Sequence, residues 1–186
     1  MPSFVRPLVI FGTWLLWILP FFLFRPRSAE KAVQVRPAAR WGILLQMAGY
    51  CLVYAHRPAA WAGPLELWRF LLGAVFAAPS IVLGWQAIRT LGRQWRIDAG
   101  LNSDHELVRG GPYKIVRHPI YASMLGMLLS GIAWAGTLPG WPIGLVLAIA
   151  GLEIRIRVED GLLRERFGAE FNSWTRSVPA LLPFIR

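Results

Sequence analysis

Five long apolar runs, each followed by a polar stretch or a turn, set the pattern of the chain: Leu8 to Phe24, Trp41 to Ala55, Leu67 to Ile88, Ile120 to Ala135 and Trp141 to Ile154. A helix needs about 20 apolar residues to cross a bilayer, with a range of ~17–25. The second, fourth and fifth runs are short for this. Some helices are therefore expected to begin in the interface, or the last two to form a shallow hairpin closed by Gly136-Thr137-Leu138-Pro139-Gly140. The first run follows Arg6 and could be mistaken for a secretion signal. It contains Trp14, Trp17 and Pro20, lacks a small-residue cleavage site and runs into arginines, so it reads as a retained span.

Composition removes the soluble alternative. Of the 186 residues 55% are hydrophobic and 16% charged, against roughly 25% charged in an ordinary globular domain, so lipid must cover much of the surface. The net charge of +10 does not form the continuous basic face of a nucleic-acid binder. It reports topology instead. Seventeen of the 20 basic residues follow the first, third and fifth runs, and only Arg6, Arg57 and Arg69 fall on the other side. Short cytoplasmic loops retain such an excess. The expectation is an all-α integral membrane protein of about five transmembrane helices, N-terminus outside, with a C-terminal amphipathic helix and an active site in the cytoplasm. Residues 1–90 read as a three-span scaffold and 91–186 as the functional half of one structural domain. Gln46 and Gln86, the scaffold's polar exceptions, can bond between helices or line a cavity. Cys51 lies in an apolar run without a partner and reads as packing.

Two clusters can carry chemistry. In the first, Gly110-Gly111-Pro112 marks a turn, and Pro119 suits the first position of a helix, where its missing N–H costs nothing. His118 then stands at the cap, with Arg117 before it and Tyr121 on the first turn, where helix dipole and free N–H groups favour an anion. A basic juxtamembrane anchor with an interfacial tyrosine explains the same residues. In the second, Arg155 and Glu159 share a helix face, Asp160 follows, and Leu162, Leu163, Phe167, Phe171 and Trp174 recur at helical spacing among charges. That pattern is an amphipathic helix, resting on lipid or packed under the bundle, and the charged pair by itself is also an ordinary salt bridge.

Together, Leu91-Gly92-x-x-Trp95, His105-x-Leu107-Val108, Gly111-x-Tyr113, Arg117-His118-Pro119-x-Tyr121, Arg155, Glu159-Asp160, Leu163, Phe167-Gly168 and Val178-Pro179-x-Leu181-x-Pro183-Phe184-Ile185 resemble the isoprenylcysteine carboxyl methyltransferase family and its phospholipid methyltransferase relatives. No single piece is specific, but the order is. The resemblance implies an S-adenosylmethionine-dependent membrane methyltransferase. His105, Leu107 and Val108 would meet the adenine, and Tyr113, His118, Pro119 and Tyr121 the amino-acid and sulfonium portion. Glu159 and Asp160 would bind polar groups of the cofactor, with Arg117 towards the methyl acceptor and Arg117 and Glu159 as the catalytic pair. Departures are Ser123 where glycine is common, Asp160 for a second glutamate, and Phe171 and Trp174 for tyrosines.

The chemistry is compatible. The cofactor's sulfonium, carboxylate, ammonium and adenine call for aromatic faces, both charges and backbone donors. A carboxylate acceptor is already ionised at pH 7, so alignment and water exclusion carry the reaction, whereas an amine must lose a proton to His118, Glu159 or Asp160. The leading expectation is O-methylation of a prenylcysteine-type or similar lipophilic carboxylate, reached from the surrounding membrane lipid. N-methylation of a phospholipid or amphipathic amine comes second and a non-catalytic membrane protein third. His56, His105 and His118 are scattered, so no metal site is expected. Glu153, near the inner end of the fifth run, is either functional or snorkels to the interface.

Overall fold

A computed structural model describes residues 5–24, 34–55, 64–96, 99–101, 104–136 and 139–182. Six α-helices lie among them: α1 (Val5–Leu23), α2 (Ala39–Tyr54), α3 (Pro64–Leu91), α4 (Pro119–Ala135), α5 (Gly140–Phe167) and α6 (Ala169–Ser177). Two short strands, β1 (Gln34–Val35) and β2 (Gly100–Leu101), pair antiparallel and join the loops after α1 and α3. Outside the described residues fall Arg25, Arg27, Lys31, His56, Arg57, Thr137, Leu138, Arg186 and the Pro183-Phe184-Ile185 end of the C-terminal motif, and with them part of the charge argument.

Each apolar run forms one of the first five helices. Leu67–Gln94 is long and apolar enough to cross a bilayer, while Pro7–Leu23 and Pro119–Ala135 are apolar but shorter. The helices expose large apolar side chains outward, among them Phe11, Trp41, Leu44, Trp68, Val75 and Val146, more apolar surface than a water-facing protein tolerates. Cys51 lies on this outer surface instead of packing inward, and Gln86 is exposed too.

α2 and α5 approach until their backbones touch. Gly42 and Gly49 face Gly151 and Gly144: a Cβ added at Gly42 would lie 2.6 Å from the Gly151 carbonyl oxygen, and one at Gly144 equally close to that of Gly49. Without a hydrophobic drive inside lipid, small residues that admit this approach hold helices together. α3 packs on α4, where the Trp134 indole donates to Phe70 O (3.1 Å). Arg69 donates to the carbonyls of Ala133 (2.9 Å) and Gly136 (3.0 Å), which the end of α4 leaves without helical partners. α1 is attached by its indoles, Trp14 to Tyr54 OH (3.0 Å) and Trp17 to Ser123 Oγ (3.1 Å).

The fifth helix outruns its apolar segment and carries Arg155 and Glu159 on one face, as their spacing implies. α5 continues past Ile154 through Arg155, Glu159 and Asp160 to Phe167, and ends at Gly168, whose φ of 51° suits glycine. α6 then buries Phe171 and Trp174 against Ala87, Tyr113 and Val178. Its apolar face is covered by the bundle, which decides between the two placements of the amphipathic segment.

Candidate active site

The site forms where the start of α4 meets the extension of α5. Pro119 is the first residue of α4, and His118 occupies the cap without a side-chain capping bond. The segment after α6 fixes this entry: the amides of Arg117 and His118 donate to the carbonyls of Pro179 (2.8 Å) and Ala180 (2.9 Å). The Arg117 guanidinium donates to Val178 O through Nη1 and to Asp160 Oδ2 through Nη2 (3.0 Å). His118 Nε2 lies 2.9 Å from Asp160 Oδ1, and its Nδ1 3.6 Å from Glu159 Oε2. Tyr121 stacks on His118, with ring centroids 5.5 Å apart, and donates its hydroxyl to Glu159 Oε1. The Arg155 guanidinium covers the other face of the cluster, 4.6 Å from the Tyr121 ring centre, and reaches Gln46 Oε1 at 3.2 Å.

These contacts set the charges. Burial opposes the charge on His118, but the hydrogen bonds it donates to Asp160 and Glu159 and their negative charges outweigh it and raise the imidazole to about 8. Burial would likewise raise Asp160, yet His118 and Arg117 hold its carboxyl below the ordinary value. His105 is lowered, chiefly by burial, which with Arg166 and Arg96 outweighs Asp104. Tyr113 is raised by burial and by Glu159.

A cavity of about 280 Å³ opens beside the cluster. His105, Leu107, Val108, Tyr113, Arg117, His118, Tyr121 and Glu159 line it, so the fold gathers eight of the sequence candidates, from two distant stretches, around one space. Pro119 and Asp160 are not in its wall: Pro119 starts α4, and Asp160 holds Arg117 and His118 from behind. Ser123 does not narrow the cavity, because its buried hydroxyl bonds to Ile120 O and receives Trp17. The scaffold helices also contribute wall, with Phe21, Ile43 and Leu91.

Gln94, Trp95, Met124, Arg155 and Trp174 were not singled out as ligands, though they line the same space. Arg155 had a signal in its one-turn spacing from Glu159. Gln94 had none, since a glutamine beside a basic loop looks solvated. Gln46 supports Arg155 from outside the cavity. Six buried side-chain atoms lack a hydrogen-bond partner among the described residues, and four belong to the cavity wall: Gln94 Oε1, His105 Nδ1, Arg117 Nε and Arg155 Nε. Unpaired buried groups are costly, so their concentration here marks a place for a polar ligand. No group of three or more His, Cys, Asp or Glu among the described residues could hold a metal ion.

The model of the isoprenylcysteine carboxyl methyltransferase family matches residues 71–165, from within α3 to near the end of α5. The chain is 28% identical over 146 residues to the cobalt-zinc-cadmium resistance protein CzcN of Cupriavidus metallidurans, covering 77% of this chain and 62% of that one. It is 33% identical over 99 residues to the uncharacterized protein YpbQ of Bacillus subtilis, covering 53% and 58% respectively. The chain thus spans about three fifths of the length of each of these relatives.

Proposed function

Since the chain belongs to the isoprenylcysteine carboxyl methyltransferase family, whose members are membrane methyltransferases, we propose that it methylates the carboxylate of a lipophilic, prenylcysteine-type acceptor with S-adenosylmethionine. The observation that carries this reading is the make-up of the cavity. Arg117 and Arg155 line it, each with a buried Nε that lacks a partner, while Phe21, Ile43 and Met124 from three different helices form apolar wall. An anionic head attached to an apolar tail is the ligand that satisfies both.

The residues also fit the cofactor. Glu159, His118 and the Tyr121 ring offer charges of both signs and an aromatic face for its amino-acid and sulfonium end, and Leu107 and Val108 offer apolar wall for its base. When bound, the cofactor supplies an electrophilic methyl group. The protein's part is to hold the acceptor in line and keep water out. Arg117, anchored by Asp160 and Val178, orients the acceptor oxygen without moving a proton.

Committed proton acceptors favour O- over N-methylation. His118 keeps its proton at neutral pH and turns both nitrogens to carboxylates, Asp160 is ion-paired, and Glu159 accepts from Tyr121. A carboxylate needs no base and an amine does. The basic loops support a cytoplasmic site and a C-terminus on the same side, the five apolar helices serving as five spans.

The test is calorimetric binding of S-adenosylhomocysteine to the detergent-purified chain and to folded His118→Ala, followed by labelled methyl transfer to a farnesylated cysteine or to phosphatidylethanolamine. Expected are micromolar binding that the variant loses and label on the carboxylate. Label on the amine alone would move the reading to N-methylation. No binding by folded wild type would leave a non-catalytic membrane protein.

A further inference from the structure

At the inner end of α3 the chain turns at Gly92, whose φ of 52° costs glycine nothing, and the single turn Gly92–Gln94 sends neighbouring side chains in opposite directions. Arg93 points to solvent and pairs with Asp104 at 3.0 Å. Gln94 and Trp95 turn inward. Trp95 packs edge-on against Phe21, which accounts for its burial. Gln94 has no such account: it is 7% exposed, its Oε1 has no hydrogen-bond partner, and it lines the cavity. An unpaired buried carbonyl is costly, because it has given up its water without gaining a donor. A ligand donor reaching it would remove that cost.

The cavity wall is chemically divided. Arg117, His118, Arg155 and Glu159 gather where α4 meets α5, whereas Leu91, Leu107 and Val108, which pack on the Ala87, Tyr113 and Trp174 cluster, form an apolar stretch, with Arg96 and Glu106 also in the wall. Gln94 follows Leu91 by three residues on the turn that extends this side. A zwitterionic amino-acid portion belongs with the charges, so a flat base belongs opposite, where apolar wall and one acceptor meet.

Resting on the methyltransferase reading, we propose that Gln94 reads the purine of the cofactor: its Oε1 accepts a hydrogen bond from the exocyclic 6-amino group and sets the preference for adenine. A glutamine amide can rotate to offer its NH₂ instead, so a purine carrying a 6-carbonyl would not separate the ideas. Deleting the amino group does.

The experiment measures binding of S-adenosylhomocysteine and its 6-deamino counterpart to the full chain in detergent, for wild type, Gln94→Leu and Gln94→Met, with thermal unfolding as the check on folding. Wild type is expected to bind the deamino ligand about tenfold more weakly, the value of roughly one hydrogen bond, and both variants to bind the two ligands equally. A merely structural role would weaken both ligands alike and leave the ratio unchanged. Equal binding by wild type, which needs no variant, overturns the proposal, as does a wild-type preference retained in either variant. Binding of neither ligand to folded wild type refutes the methyltransferase reading itself, an outcome distinct from a failed ratio.

Discussion

One face of α5 does two opposite jobs within a few turns. Gly144, Ala148 and Gly151 meet α2 by having almost no side chain, so that backbones touch. Arg155 and Glu159 continue the same face at one-turn spacing, and with the neighbouring Asp160 they meet α2 and α4 through long charged groups. The seam depends on atoms that are missing and the junction on atoms that are present. Adding mass should therefore break the first, and removing charge the second.

The largest effect is expected at the junction. Asp160→Ala leaves Arg117 and His118, both nearly buried, without their shared carboxylate, and removing one partner of a buried ion pair costs about 3–5 kcal/mol. Thermal unfolding in detergent should show a marked drop, with a smaller one for Asp160→Asn; indistinguishable curves for Asp160→Ala and wild type would show that the tail's backbone bonds alone hold the motif. Next comes Gly49→Val in the seam, where the new side chain would press on Gly144 and Ala148. We expect a cost of about 3 kcal/mol, at the upper end of overpacking, read as loss of monodisperse protein. A well-tolerated valine would mean that α2 can move off α5.

The smallest effect is in pH. His118 is raised in the folded state to about 8 from 6.5, with Asp160 and Glu159 facing it, Arg117 on Asp160 and Arg155 over Tyr121. A raised histidine stabilises fully below its unfolded value and loses that contribution as pH climbs through the folded one. Stability should therefore fall between about pH 6.5 and 8.5, by on the order of 2 kcal/mol, and His118→Gln should flatten that slope. The same slope in both proteins would assign it to another group.

Much of this was readable beforehand. The five apolar runs mark α1 to α5, and Pro119 marks the start of α4, because apolar length and proline's missing N–H act locally. How far α5 continues was not, since the helical spacing of Arg155, Glu159 and the apolar residues beyond them does not tell one long helix from two. Eight of the site candidates meet at the cavity, but the roles of Asp160 and Ser123 depend on neighbours more than thirty residues away.

By itself the sequence determined the predominantly helical membrane character, the positions of the helices, the family and the residue types available for chemistry. These follow from composition, spacing and motif order, which are properties of short stretches. Only the tertiary structure decided that α6 lies under the bundle, that Asp160 stands behind the site and that Gln94 faces into it. Direction and partnership belong to pairs of segments brought together in space, and a local pattern shows which face of a helix is apolar without showing what covers it.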